Sequence, residues 1–257
     1  LKEGDIIEFN PIQKVEILPE DIPLYIVWED ENMLVVNKPS GMLTHPTAIE
    51  TSGTLVNALL YRYAENLSDI NGEFRRGIIH RLDRNTSGLL MVAKNNKAHE
   101  YLVNAMKNNQ MIKKYLAVVK GIVVEDEFTI NKPIGRNPKQ PHKMGVFEDG
   151  KESISVVKVL ERLEDATLVE VRLITGRTHQ IRAHFASVGH PLLGDGKYGS
   201  NALNKPLGYK KQFLYSYKLK FAFTTDAGIL EYLNGRTFIA PEVWFKSEFL
   251  SGKLTKM

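Results

Sequence analysis

The chain has 257 residues, 43% of them hydrophobic and 25% charged, a balance that excludes an intrinsically disordered or low-complexity scaffold. It has no cysteine, which excludes a disulfide framework, thiolate metal sites, iron–sulfur clusters and cysteine nucleophiles. The formal net charge of +4 is modest but segregated: residues 75–120 carry ten lysines and arginines against Asp83 and Glu100, residues 197–220 carry six lysines and no acid, and residues 1–30 hold eight acidic side chains against two basic ones. Brought onto one face, the basic segments form a surface for a polyanion; dispersed, they are ordinary solvated faces of helices and strands.

In chain order, Ile6 to Phe9 behind the Gly4-Asp5 turn reads as the last strand of a hairpin, and with Leu1 as the first residue this predicts the remnant of an N-terminal domain over residues 1–10. The prolines up to Pro23 predict a linker over 11–23, with the main domain following at 24–257. Tyr25 to Trp28 and Met33 to Asn37 read as strands around an acidic turn. Gly53 to Asn66 is a predicted helix, with Leu55, Leu59, Leu60 and Tyr63 at helical spacing behind Ser52 as the capping candidate. A buried strand over Gly88 to Lys94, a helix over Asn96 to Asn109 and a strand over Lys113 to Lys120 come next. Residues 131–151 combine prolines and glycines with Arg136, Lys139, His142 and Lys143, which predicts a mobile basic loop long enough to be functional. Ser153 to Leu163 and Thr167 to Ile174 are alternating strands joined by a tight turn, and Thr178 to Val188 is a helix with Ile181, Phe185 and Val188 in one stripe. Strand runs outnumber helices without regular βαβ alternation, so the predicted class is α+β around a mixed, largely antiparallel sheet. No apolar run approaches the ~18 residues of a membrane span and the acidic start is no signal peptide, which predicts a cytoplasmic protein.

Two polar clusters stand out. In His80-Arg81-Leu82-Asp83-Arg84-Asn85-Thr86-Ser87-Gly88, a carboxylate sits on a tight loop between apolar segments, and Arg81 and Arg84 would help keep it ionised as a nucleophile or base. Alone, such an Asp is more often a local turn-former. In Thr175-Gly176-Arg177-Thr178-His179-Gln180-Ile181-Arg182-Ala183-His184, Thr178 is positioned to cap the helix. Arg182 falls at the margin of the buried stripe, where an arginine can hold a carboxylate by a bidentate pair or simply face solvent. His179 and His184, at i and i+5, lie about 140° apart around a helix and do not make a zinc pair. His80-Arg81 lacks the Asp placement of a kinase catalytic loop, and no Walker A loop, dinucleotide fingerprint or Gly-x-Ser-x-Gly elbow is present.

Taken together, His80-Arg81-Leu82-Asp83-x-x-Thr86-Ser87-Gly88 resembles the catalytic motif of the RluA family of pseudouridine synthases. Asn37 to Pro46 is similar to that family's first motif, Lys114-Tyr115-Leu116-Ala117-Val118-Val119-Lys120-Gly121 to its tyrosine motif, and Leu173 to His184 to its third, with Gly189-His190-Pro191 through Gly199 following in order. Leu214-Tyr215-Ser216 departs from the Leu-His-Ala of the family. The resemblance spans residues 19–200. It implies a synthase that isomerises uridine in RNA, expected in 23S ribosomal RNA, with no cofactor and no metal. It further implies Asp83 as the essential carboxylate, Arg182 as its orienting partner and Tyr115 packing on the target base. RNA contacts are expected from His80, Arg81, Arg84, Arg177, Arg136, Lys139 and Lys143, in a monomer. The competing expectations are a catalytically silent RNA-binding or ribosome-assembly protein and a synthase acting on transfer RNA.

Overall fold

In the computed structural model, residues 16–199, 204, 208 and 211–252 are described below. The hairpin expected over Leu1–Phe9 lies outside the described residues. The strands are β1 (Ile26–Glu29), β2 (Met33–Lys38), β3 (Ser87–Ala93), β4 (Met111–Lys120), β5 (Glu127–Asn131), β6 (Ile134–Arg136), β7 (Met144–Val146), β8 (Ile154–Leu163), β9 (Ala166–Leu173), β10 (Leu214–Phe221) and β11 (Thr237–Ile239). Among the described residues four α-helices flank them: α1 (Leu55–Tyr63), α2 (Asn96–Lys107), α3 (Gln180–Ser187) and the short α4 (Lys246–Leu250).

Nine strands form one sheet in the order β1-β2-β3-β10-β4-β9-β8-β5, with β11 paired to β10. The class is α+β: neighbours pair antiparallel except β3 and β10, which run parallel with Tyr215 opposite Ser87 and Ser216 opposite Gly88. The central strands are buried on both faces. The two-residue period of β3 therefore sends Leu89, Met91 and Ala93 into one core and Leu90 and Val92 into another. The first core is closed by α2 and by a C-terminal aromatic group that includes Phe238, Phe245 and Phe249; the second is closed by α1 and α3. The cleft described below opens beside this second core, where β3, β10 and β4 meet.

Several boundaries differ from expectation for local reasons. Thr54, not Ser52, caps α1, because Asn57 at the third helical position returns its hydrogen bond and completes a capping box. Of the expected linker, the part from residue 16 onward is pinned to α1: the Asn57 side chain donates to the Leu18 carbonyl at 2.8 Å, and the Glu20 backbone N–H donates to the Asn57 carbonyl at 3.0 Å. The segment expected as a mobile loop over 131–151 is instead an antiparallel hairpin of β6 and β7, with Gly135 opposite Gly145. Asn137 accepts from the backbone N–H groups of Lys139 and Gln140 and so builds its turn.

Candidate active site

The loop carrying Asp83 is clamped on both sides of that residue. Ahead of it, the Thr44 hydroxyl donates to the Leu82 carbonyl at 2.9 Å and accepts from the Leu82 N–H at 3.3 Å. Behind it, the Arg84 carbonyl accepts from the Lys38 ammonium at 3.1 Å and from the Gly41 N–H at 2.9 Å. Lys38 is 1% exposed and also donates to the carbonyls of Pro39 and Met42, so its three hydrogens meet three oxygens. Burial pushes its pKa down to about 7, with the negative charge of Asp83 acting in opposition.

Arg182, projecting from α3, links two carboxylates. Its Nη1 donates to Asp83 Oδ2 at 2.8 Å, while Nε and Nη2 form a fork on Asp195 at 2.7 and 3.0 Å. Asp195 also accepts from the N–H groups of Lys197 and Tyr198 and from the Gln212 amide, whose oxygen accepts from the Thr86 hydroxyl. The network thus returns to the Asp83 loop. Burial alone would raise the Asp195 carboxyl, but the Arg182 fork and these N–H bonds outweigh it and hold the pKa below its ordinary value.

The residue ahead of α3 is His179, not Thr178. Its backbone is left-handed at φ 55° and its side chain does not cap the helix, so the expected Thr178 cap is absent. The Gln180 side chain accepts from the Arg177 N–H and the Thr175 hydroxyl and so ties the loop ahead of the helix. The Tyr198 hydroxyl accepts from the Met144 N–H at 2.7 Å and shares a hydrogen bond with His179 Nδ1, also at 2.7 Å. The other ring nitrogen, His179 Nε2, faces Asp83 Oδ2 at 3.7 Å. Burial pushes the His179 pKa down to about 4, so the ring is neutral at physiological pH.

Asp83, Arg182 and Tyr115 line one cavity of about 310 Å³ together with His80, Arg81 and Arg177. Its apolar walls come from Ile79, Leu82, Leu173, Ile181 and Leu214. A small apolar slot with a few convergent polar groups suits a planar heterocycle. Burial, reinforced by the charge of Asp83, pushes the Tyr115 phenol up to about 12, so it remains protonated. His80 lines the cavity but is also tied to the sheet: its Nε2 accepts from the Met91 N–H at 2.9 Å, and burial followed by the positive charge of Lys113 pushes its pKa down to about 3.

The remaining expected RNA contacts lie around this cavity. Arg84, expected to act on Asp83, instead pairs with Glu50, and the arginine that pairs with Asp83 is Arg182. Arg136 and Arg177 share a recess of about 520 Å³ between the hairpin and the loop ahead of α3, whereas Lys139 and Lys143 lie toward the hairpin turn and line neither cavity. Sequence reasoning assigned no role to Asp195, His179, Lys38 or Thr44. Asp195 lies within the segment from Gly189 through Gly199 that follows the third motif, and nothing in the spacing reveals that the fork of Arg182 belongs to it.

Residues 32–187 match the family model described as RNA pseudouridylate synthase. The chain belongs to this family. It is of the RluA type: it is 44% identical over 210 residues to a ribosomal large subunit pseudouridine synthase D of Zymomonas mobilis, covering 79% of this chain and 66% of that protein. An uncharacterized RNA pseudouridine synthase of Bacillus subtilis is 48% identical over 209 residues, covering 81% of this chain and 68% of the relative. The chain therefore spans about two thirds of the length of these relatives. A solved structure, human RNA pseudouridylate synthase domain containing 1, superposes with a TM-score of 0.69 at 26% identity, covering 91% of this chain and 96% of that one.

Proposed function

We propose that this pseudouridine synthase uses Asp83 to isomerise uridine to pseudouridine in large-subunit ribosomal RNA, with residues 24–257 as its catalytic unit. The observation that carries the reading is the Asp83–Arg182–Asp195 array at the edge of a base-sized cavity. The reaction breaks the bond between the sugar C1′ and N1 of uracil, turns the detached base, and joins C5 to C1′. The proton on C5 is lost and one is gained at N1, so nothing is oxidised or transferred to another molecule. Asp83 serves at the sugar, either at the anomeric carbon or in moving a proton, and Arg182 fixes the carboxylate for that work. Tyr115 packs on the base. Because a stacked uridine is out of reach, the nucleotide is extruded into the cavity, and Arg81, Arg84, Arg177, Arg136 and the hairpin lysines hold the surrounding RNA. The ribosomal target is supported by the relatives named for the large ribosomal subunit.

The test is incubation with the host's ribosomal and transfer RNA transcribed in vitro, followed by mapping of pseudouridine. The expected product lies in the large-subunit RNA and is abolished by Asp83→Asn, which keeps the side chain's shape and removes its charge. Turnover by Asp83→Asn near the unmutated rate would overturn the mechanism, product only in transfer RNA would move the target, and binding without product would favour a silent RNA-binding protein.

A further inference from the structure

Lys113 and Lys114 are adjacent on β4 and fare differently. Lys114 pairs with Glu170 at 2.6 Å, as a partly buried ammonium is expected to do. Lys113 lies two positions before Tyr115, on the same side of the strand, and lines the same cavity as Tyr115 and Asp83. Among the described residues no carboxylate or hydrogen-bond acceptor pairs with its Nζ. The nitrogen stands 3.7 Å from the position a Cβ on Gly176 would occupy, so the glycine leaves the space before it open. Burial lowers its pKa with no offset from the charge of Asp83, whereas His80 feels its positive charge. A half-buried ammonium on the wall of the cavity, with no protein acceptor committed to it, is free to bind what enters there.

We propose that Lys113 is a catalytic residue: its ammonium faces a carbonyl oxygen of the extruded uracil and stabilises the base as it leaves the sugar. This rests on the reading of Asp83 and its cavity given above. When the C1′–N1 bond breaks, the electron pair goes to the base, and the negative charge spreads over N1, O2 and O4. A fixed cation beside one of these oxygens stabilises that charge where it develops. The geometry of the isomerisation adds a second reason. Bringing C5 to the place of N1 turns the ring by half a revolution about its N3–C6 axis, which exchanges O2 with O4. A single donor at that position therefore meets one carbonyl before the turn and the other after it. A compact ammonium with three rotatable hydrogens serves both. Cytosine would present its amino group there in one of the two orientations, donor against donor, so the same residue favours uracil.

The experiment compares the unmutated protein with Lys113→Met, Lys113→Arg and Asp83→Asn on large-subunit ribosomal RNA of the host transcribed in vitro. It reads single-turnover rate, RNA affinity and melting temperature. Lys113→Met is expected to slow the chemical step about a hundredfold. Its RNA affinity should stay within about threefold, and its melting temperature should hold because the substitution breaks no hydrogen bond or ion pair of the folded chain. Lys113→Arg, which keeps the charge, should recover a large part of the rate. A Lys113→Met rate within twofold of the unmutated one, with Asp83→Asn inactive, would overturn this proposal alone. A loss of rate matched by an equal loss of affinity or a drop in melting temperature, without recovery in Lys113→Arg, would also overturn it by making the residue a binding or structural one. An active Asp83→Asn, or no pseudouridine from the unmutated protein, would overturn the underlying reading as well.

Discussion

Two carboxylates share Arg182, and their surroundings give them different work. The Asp195 side chain is fully buried and receives the two-pronged fork, while that of Asp83 is 18% exposed and takes a single bond, which leaves it room to meet a substrate. Asp195 is accordingly the anchor and Asp83 the working group. Asp195→Asn should leave a buried guanidinium half compensated, at a cost of about 3 kcal/mol or more, and should slow modification by loosening Arg182. Chemical denaturation with a parallel activity assay checks both; a stable and fully active variant would place the anchor elsewhere. The neutral histidines add a pH dependence. His80, His179 and His45 have folded pKa values pushed down to about 3, 4 and 4, chiefly by burial, from an ordinary 6.5. The unfolded chain therefore binds more protons than the fold across that interval. The contribution of these histidines to stability is full above about pH 6.5 and is lost as the pH falls toward 4. Melting curves from pH 7 to 4 should descend, and His80→Gln, which can still accept from Met91 N–H, should flatten the descent.

At the scale of elements, the parallel contact between β3 and β10 joins the two parts of the sheet and positions the Asp83 loop. It depends on Gly88, whose φ is 120° and where a Cβ would come within 2.3 Å of the Ser216 carbonyl oxygen. Gly88→Ala should cost roughly 3 kcal/mol through overpacking and backbone strain and lower the melting temperature by several degrees. An unchanged melting temperature would mean that β10 yields without loss. This contact also marks how far the sequence could be read. The doubly buried β3 and the amphipathic α2 were legible within one or two residues because their patterns are local. The place of β10 between β3 and β4 was not, since its partners on them lie from 97 to 128 positions away, Ala117 opposite Leu214 and Ser87 opposite Tyr215. For the site, Asp83 and Arg182, 99 positions apart, could be coupled only by resemblance; the Asn57 capping box was obscured by Ser52 as a rival cap two residues earlier, and the β6–β7 hairpin by Pro- and Gly-rich composition.

Over the whole molecule, only part of the basic block over residues 75–120 reaches the cavity, through Arg81 and Lys113, and cations from outside that block join them, with Arg177 at the cavity wall and Arg136 across the neighbouring recess. The hairpin carrying Lys139 and Lys143 is tied to the site through Met144 N–H on the Tyr198 hydroxyl and through the Lys197 ammonium on the His142 carbonyl. It is therefore an arm whose backbone is held beside the site, with its lysines reaching out from it. In the proposed reading these cations neutralise phosphates, and each contact with single-stranded RNA should contribute about −0.7 to the slope of log affinity against log salt. The double substitution Lys139→Gln with Lys143→Gln should make that slope shallower by roughly 1.4 if both lysines reach phosphates, and weaken all RNAs alike. Tyr115→Phe touches no phosphate in this reading and should leave the slope as it is while altering modification. A slope that stays put in the double variant would remove the hairpin tip from the RNA path. An affinity indifferent to salt in the unmutated protein would remove the basic surface altogether, whatever Asp83→Asn does to the chemistry.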